Sequence, residues 1–321
     1  MTARTPASGP TRERRTAAVP TDDGALLHAT VDGSDDAPVT LVLAHGWTLS
    51  QASWDDPVGL LVPRVAAGEL RLVRYDQRGH GRSTWAPGDA DPAAVTIDRL
   101  GSDMGCVLDR LAPRGPVVLG GHSMGGMTIM CLAAARPELF GEHVGGALLV
   151  STSAGDLAPE PATAAEKALR RLTPGLVTAA IGGARLVEGL RRLAPPSSRQ
   201  HRRFVRDLLY GADATEEMVR AGAEIMHAST VRAFAAFYPA LGGHDKRTEL
   251  AALSRVPVEV LVGDNDKLTP VRHSRQLAEA LPGAALHVEP RTGHMLLQER
   301  TRLVVDALDR LLAGARDRVA T

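Results

Sequence analysis

The residues best suited to chemistry in this chain lie in Gly121-His122-Ser123-Met124-Gly125, a Gly-x-Ser-x-Gly at the end of the apolar run Pro116-Val117-Val118-Leu119-Gly120. The spacing predicts a sharp reversal from strand into helix, with Met127 to Ala135 helical and Pro137 marking the end. A serine in such a turn takes a strained backbone conformation, and a Cβ at Gly121 or Gly125 would crowd it. The strain lifts the Ser123 hydroxyl clear of the backbone at the N-terminus of the helix. Serine is a poor nucleophile at neutral pH, so it needs a base within hydrogen-bond reach and a group to orient that base.

Position sorts the eleven histidines. His294, in Arg291-Thr292-Gly293-His294-Met295, follows the last apolar strand, where a loop can bring an imidazole over the sheet's carboxyl edge. The orienting acid should leave the preceding strand, and Val262 to Pro270 offers both Asp264 and Asp266. Asp266 is preferred because it lies in the turn that Pro270 closes, whereas Asp264 is nearer the strand end. His122 cannot be the base, since adjacent side chains point apart; a supporting or pocket-wall role is expected. His45 and His80 sit beside glycine turns and read as loop-framing residues, with His45 also a candidate for the pocket wall.

These groups need a scaffold that gathers loops at one edge. Apolar runs at residues 25–31 (expected at the sheet edge), 39–44, 70–75, 117–120, 144–150, 256–262 and 285–288 alternate with helical patterns at 95–111, 127–135, 272–281 and 300–312. Continuous apolar strands of this kind are buried on both faces, and strand–helix alternation gives a right-handed, mostly parallel α/β sheet covered on both sides. The alternation stops near Ala154 and resumes at Val256. Between them, Leu176, Ala180, Ala184 and Val187 mark one helical face, broken by Pro195-Pro196. Phe204, Leu208 and Leu209 mark a second helix, and Val231, Phe234, Ala235 and Tyr238 a third. The expected organisation is a disordered leader over 1–23, a core from 24–155 and 251–321, and a helical lid over 156–250. The tail 313–321 is expected to fray.

Lysine plus arginine and aspartate plus glutamate balance at 37 each, which argues against a nucleic-acid or anionic-membrane partner. No apolar run approaches the ~20 residues of a membrane span, and residues 1–23 lack the apolar core of a signal peptide. A cytoplasmic protein is expected. Cys106 and Cys131 sit among apolar residues of predicted helices and read as reduced core residues. Neither metal-ligand spacing nor a dinucleotide glycine fingerprint is present, so neither metal nor cofactor is expected.

The order Ser123, Asp266, His294 on this alternation resembles the α/β-hydrolase fold family, in particular its capped serine esterases and monoglyceride-type lipases. The matched motifs run from Ala44 to Glu299. The resemblance implies an eight-stranded, mostly parallel sheet with helices on both faces and a lid inserted before the acid-bearing strand. It also implies an oxyanion hole from the backbone N–H groups of Trp47, in Ala44-His45-Gly46-Trp47, and of Met124; such donors are each worth about 2.7–4 kcal/mol in rate. Trp47, His45, His122 and Met295 are the candidate pocket residues. Asp76-Gln77-Arg78-Gly79-His80-Gly81-Arg82-Ser83 resembles a structural turn of the family, read here as framed by an Asp76–Arg78 ion pair. Serine at the nucleophile position sets the chain apart from the family's dehalogenases and epoxide hydrolases, which use a carboxylate. The implied activity is hydrolysis of a carboxylic ester, lactone or thioester of a small to medium apolar substrate, with a small molecule as the partner. Alternatives are a non-hydrolytic step with the same triad (perhydrolysis, acyl transfer, lyase or cyclase), a short-peptide serine peptidase using Glu216, Glu217 or Glu224, and a ligand receptor.

Overall fold

The computed structural model describes residues 14–87, 95–157 and 198–319. Eight strands form one sheet: β1 (Arg14–Pro20), β2 (Leu26–Asp32), β3 (Thr40–Ala44), β4 (Arg71–Tyr75), β5 (Val117–His122), β6 (Val144–Val150), β7 (Val258–Gly263) and β8 (Ala285–Glu289). Their order is β1-β2-β4-β3-β5-β6-β7-β8. The β1–β2 and β2–β4 pairs are antiparallel and the rest are parallel. Consequently β3 to β8 all present their carboxyl ends on one side, where their loops converge.

The alternation of side chains along each strand divides the core. Val42, Val73, Leu119, Leu149 and Val260 face α2 (Ile97–Leu111), α3 (Met124–Ala135) and α7 (Val271–Ala280). Leu41, Leu43, Leu72, Val118, Leu148 and Leu261 face the opposite way, toward α1 (Asp55–Ala66) and α9 (Thr301–Val319). Among the described residues three helices stand between β6 and β7: α4 (Arg199–Leu209), α5 (Glu216–Ala228) and α6 (Val231–Gly243). Each starts on a hydroxyl cap. Ser198, Thr215 and Thr230 accept the backbone N–H of His201, Met218 and Ala233, and so satisfy donors a helix start leaves free. The helical face expected at Leu176–Val187 and the Pro195-Pro196 break lie outside the described residues.

Four expectations are corrected. Residues 14–20, assigned to a disordered leader, form β1, and β2 is therefore internal instead of at the edge. Arg-Arg-Thr-Ala-Ala-Val-Pro carries no apolar run because an edge strand needs only one covered side, and Val19 is the one residue it buries fully. The tail expected to fray continues α9 to Val319, with Ala315 buried against Gly145, where a Cβ would come within 2.9 Å of the Ala315 Cβ. Arg78 does not close its own turn onto Asp76. Its guanidinium forks onto Asp103 at 2.8 and 2.9 Å and onto Asp23 at 2.7 and 3.0 Å, joining the turn to α2 and to the β1–β2 connection. Cys131 is buried in α3 and Cys106 half-buried on α2, both as free thiols.

Candidate active site

Ser123 stands between β5 and α3 with φ 54° and ψ −117°, in a region few L-residues visit. The strain is held from outside. A Cβ on Gly125 would lie 2.3 Å from the Ala44 carbonyl oxygen, and one on Gly121 would lie 2.5 Å from the backbone of Gly125. The Ser123 N–H donates to the Val150 carbonyl at 2.8 Å, and the Ser123 carbonyl accepts the Thr152 hydroxyl at 2.7 Å. The turn is thus pinned to β6. Its side chain stays at the surface of the site, with 9% of the residue exposed.

His294 lies in the loop after β8. Its Nδ1 is 2.9 Å from Oδ2 and 3.0 Å from Oδ1 of Asp266, so Nδ1 carries the proton and donates it to the carboxylate. Asp266 is buried in the turn after β7. Its Oδ1 accepts the N–H groups of Leu268 and Thr269, both at 2.9 Å, and its Oδ2 accepts the Thr269 hydroxyl at 2.9 Å. Burial raises the Asp266 pKa, but the charge and hydrogen bond of His294 and the Thr269 donors outweigh it and hold the carboxyl below its ordinary value. Asp264, the alternative acid, is exposed two residues earlier in the same turn.

The loop after β3 closes the site from the other side. A Cβ on Gly46 would sit 3.0 Å from His122 Nδ1 and 3.2 Å from the Ser123 Cβ, so this backbone lies directly against the serine. Among the described residues the N–H groups of Trp47 and Met124 donate no hydrogen bond. That of Met124 is a first-turn donor, which the helix itself cannot satisfy. The Trp47 indole stacks on Phe234 of α6 with centroids 4.6 Å apart, and its N–H points to the Ala233 carbonyl at 3.4 Å.

His45, expected at the pocket wall, is instead fully buried behind this loop. Its Nε2 accepts the Gln77 N–H at 2.9 Å and its Nδ1 meets the Gly46 carbonyl at 2.7 Å. His80 holds the loop similarly, with Nε2 accepting the Thr48 N–H at 3.2 Å and Nδ1–H donating to the Arg78 carbonyl at 2.9 Å. His122 is also fully buried, and its Nε2–H donates to the His294 carbonyl at 2.9 Å. Burial, with the neighbouring His45, pushes the His80 pKa down to about 3; burial, with His294, does the same to His122. Met295 is buried in the seam between the loop and the inserted helices, packed with Leu49, Val205, Leu209 and Tyr210.

Sequence reading missed Thr152, Thr269, Gln77 and Glu299. Only Thr269 left a local signal, because a hydroxyl three residues after an aspartate completes an Asx-type turn. Gln77 works at long range: its Nε2 donates to the His45 carbonyl and its Oε1 accepts the Thr128 hydroxyl of α3 at 2.7 Å.

Residues 41–307 match the model of the alpha/beta hydrolase family. The pimeloyl-acyl-carrier-protein methyl ester esterase of Nitrosomonas europaea is 27% identical over 258 residues, 79% of this chain and 88% of that one. A bifunctional esterase/perhydrolase of Acinetobacter calcoaceticus is 33% identical over 133 residues, 41% of this chain and 43% of that one. The chain spans between 19% and 43% of the length of the first curated relatives it matches. The structure of a thermophilic esterase from Thermogutta terrifontis superposes with a TM-score of 0.69 over 94% of this chain and 99% of that one, at 23% identity. No helix among the described residues is long and apolar enough to cross a membrane.

Proposed function

This chain is a member of the alpha/beta hydrolase family, and we propose that it hydrolyses carboxylic esters of small to medium apolar substrates through an acyl-enzyme on Ser123. The observation that carries the reading is the His294–Asp266 hydrogen bond, set at the same sheet edge as a serine strained out of its turn. In this mechanism His294 Nε2 takes the Ser123 proton as Oγ attacks the ester carbonyl. Asp266 keeps the Nδ1 proton in place and balances the imidazolium. The amides of Trp47 and Met124 receive the oxyanion. His294 then protonates the leaving alcohol, and water repeats the two steps to release the acid.

Helices α4 to α6 act as the cap. Trp47 touches α6, while Phe234 and Tyr238 on that helix keep 46% and 55% of their surface exposed, which suits an apolar acyl or alcohol group. Esterases by name among the relatives support an ester as substrate. The acidic residues weighed for a peptidase do not converge on a free amine. Glu216 pairs with Arg206 at 2.7 Å and Glu224 with Arg220 at 3.2 Å on exposed helix faces.

The test is turnover of p-nitrophenyl esters from acetate to palmitate, with fluorophosphonate labelling read by intact mass, in the wild type and Ser123→Ala. Turnover with a chain-length optimum and one label, both lost in the variant, is expected. Turnover that survives Ser123→Ala would refute the serine mechanism. Labelling without turnover would leave the nucleophile and refute the ester.

A further inference from the structure

Glu299 ends α8 (Leu296–Glu299), five residues after His294, and only 8% of it is exposed. Its carboxylate is spent on two backbone amides from different parts of the chain. Oε1 accepts the Gly293 N–H at 2.9 Å, and Oε2 accepts the Gly211 N–H at 2.9 Å. Gly293 is the residue before His294. Gly211 lies in the link that leads from α4 to α5, within the inserted helices.

These two segments are in backbone contact. A Cβ on Gly293 would fall 2.5 Å from the Tyr210 carbonyl carbon, and one on Gly211 would fall 2.2 Å from the Arg291 carbonyl oxygen. On the other side of the histidine, the Met295 N–H donates to the Leu209 carbonyl at 3.1 Å. The Tyr210 hydroxyl reaches both Gln298 Oε1 and the Met218 carbonyl, the latter at 2.7 Å. Residues 209–211 therefore bracket His294, and among the described residues Glu299 is the only side chain that bonds both backbones at once. Burial pushes the Glu299 pKa up, against the two amide donors and the nearby Arg300 charge, so burying this carboxylate carries a desolvation cost. A glutamine would fill the same space without that burden, and would accept one amide while turning its NH₂ against the other.

We propose that Glu299 is a positioning residue that couples the cap to the base: by holding Gly293 and Gly211 on one carboxylate it sets His294 relative to Ser123 and carries cap displacement to the imidazole. This rests on the reading of His294 as the base. The coupling differs from a simple packing role because it acts on the reactive geometry more than on fold stability.

The test uses full-length Glu299→Gln, with Glu299→Asp as the second variant because it keeps the charge and both acceptors. Three quantities are measured: p-nitrophenyl butyrate kinetics, fluorophosphonate labelling rate, and hydrogen exchange of the 209–213 and 290–295 peptides. In Glu299→Gln, kcat and the labelling rate are expected to fall together by about 10- to 100-fold, with KM within about threefold of the wild type. Exchange should quicken in both peptides and not across the sheet, and Glu299→Asp should retain more of the rate than Glu299→Gln. A kcat within about twofold of the wild type in Glu299→Gln overturns the proposal. So does faster exchange throughout the sheet, or failure of both variants to fold, since either makes Glu299 a fold residue only. If the wild type itself lacks Ser123-dependent labelling, the serine mechanism fails and the exchange experiment decides separately. Quickening of both peptides would keep the coupling, and an unchanged pattern would remove it.

Discussion

Asp266→Asn gives the sharpest expectation because the geometry dictates where the amide must go. Oδ1 accepts two backbone N–H groups, from Leu268 and Thr269, both at 2.9 Å. An asparagine will keep its oxygen there, since an NH₂ would meet two donors. That places NH₂ at the Oδ2 position, 2.9 Å from His294 Nδ1 and 2.9 Å from the Thr269 hydroxyl. Its two hydrogens go to the Thr269 oxygen, which can turn to accept, and to His294 Nδ1. The Oδ1 bonds to Leu268 and Thr269 are kept and only the Thr269 hydroxyl proton must find a new acceptor, so the stability change should be within about 1 kcal/mol. The imidazole, however, must now carry its proton on Nε2, and in the proposed mechanism a protonated Nε2 cannot take the Ser123 proton. Loss of the correct tautomer in serine hydrolases lowers kcat by about 10⁴, equivalent to about 5.4 kcal/mol of barrier. The assay is p-nitrophenyl butyrate hydrolysis beside a thermal melt. A loss below about tenfold with an unchanged melt would refute the tautomer reasoning. A larger loss in Asp264→Asn would move the acid to the exposed neighbour.

Two further expectations follow from packing and from the buried histidines. Trp47→Ala keeps the backbone N–H but removes the stack on Phe234, so kcat/KM for hexanoate relative to acetate should fall about fivefold, near the ~1 kcal/mol of an aromatic pair. Labelling of Ser123 should continue; an unchanged chain-length preference would detach Trp47 from the pocket. Acid should destabilise the fold early. His80 and His122 have pKa values lowered from 6.5 to about 3, so between those limits the unfolded chain binds the extra protons and stability falls as pH falls. Each contributes a loss of about 1.4 kcal/mol per pH unit below 6.5. A melting temperature that stays flat from pH 7 to pH 5 would refute the neutral assignment.

What was legible in the sequence is what local chemistry dictates. Gly121-His122-Ser123-Met124-Gly125 announces its turn because only glycine fits beside the Gly125 and Ala44 backbones. Asp266 stood out from Asp264 through turn position alone, and burial separates them in the same sense. The partners of Arg78 were not legible, since Asp103 and Asp23 lie 25 and 55 residues away and nothing in the turn itself names them. β1 escaped for a related reason. Its hydrogen bonds come from β2, and an edge strand with alternating exposed residues needs no apolar signature to be held. Glu299 was invisible because a lone glutamate on a short helix reads as solvent-facing until Gly211 folds back onto it.

The clustering of histidines at the sheet edge then has a chemical logic. His45, His80, His122 and His294 lie close together, with ring centroids 5.3 Å apart for the first two and 5.0 Å for the last two. Two or more cations at such spacing in a buried setting would repel strongly. Burial lowers the pKa of His45, His80 and His122, and each of these rings bonds to backbone: His45 to Gln77 and Gly46, His80 to Thr48 and Arg78, and His122 to the His294 carbonyl. They act as rigid neutral spacers. Only His294 has a carboxylate directly on its ring nitrogen, so only there is a transient imidazolium compensated. On the proposed mechanism the edge therefore has one proton acceptor among four chemically identical rings, the one that Asp266 faces. Replacing His122 with another neutral donor should thus preserve the base, whereas moving the carboxylate would not.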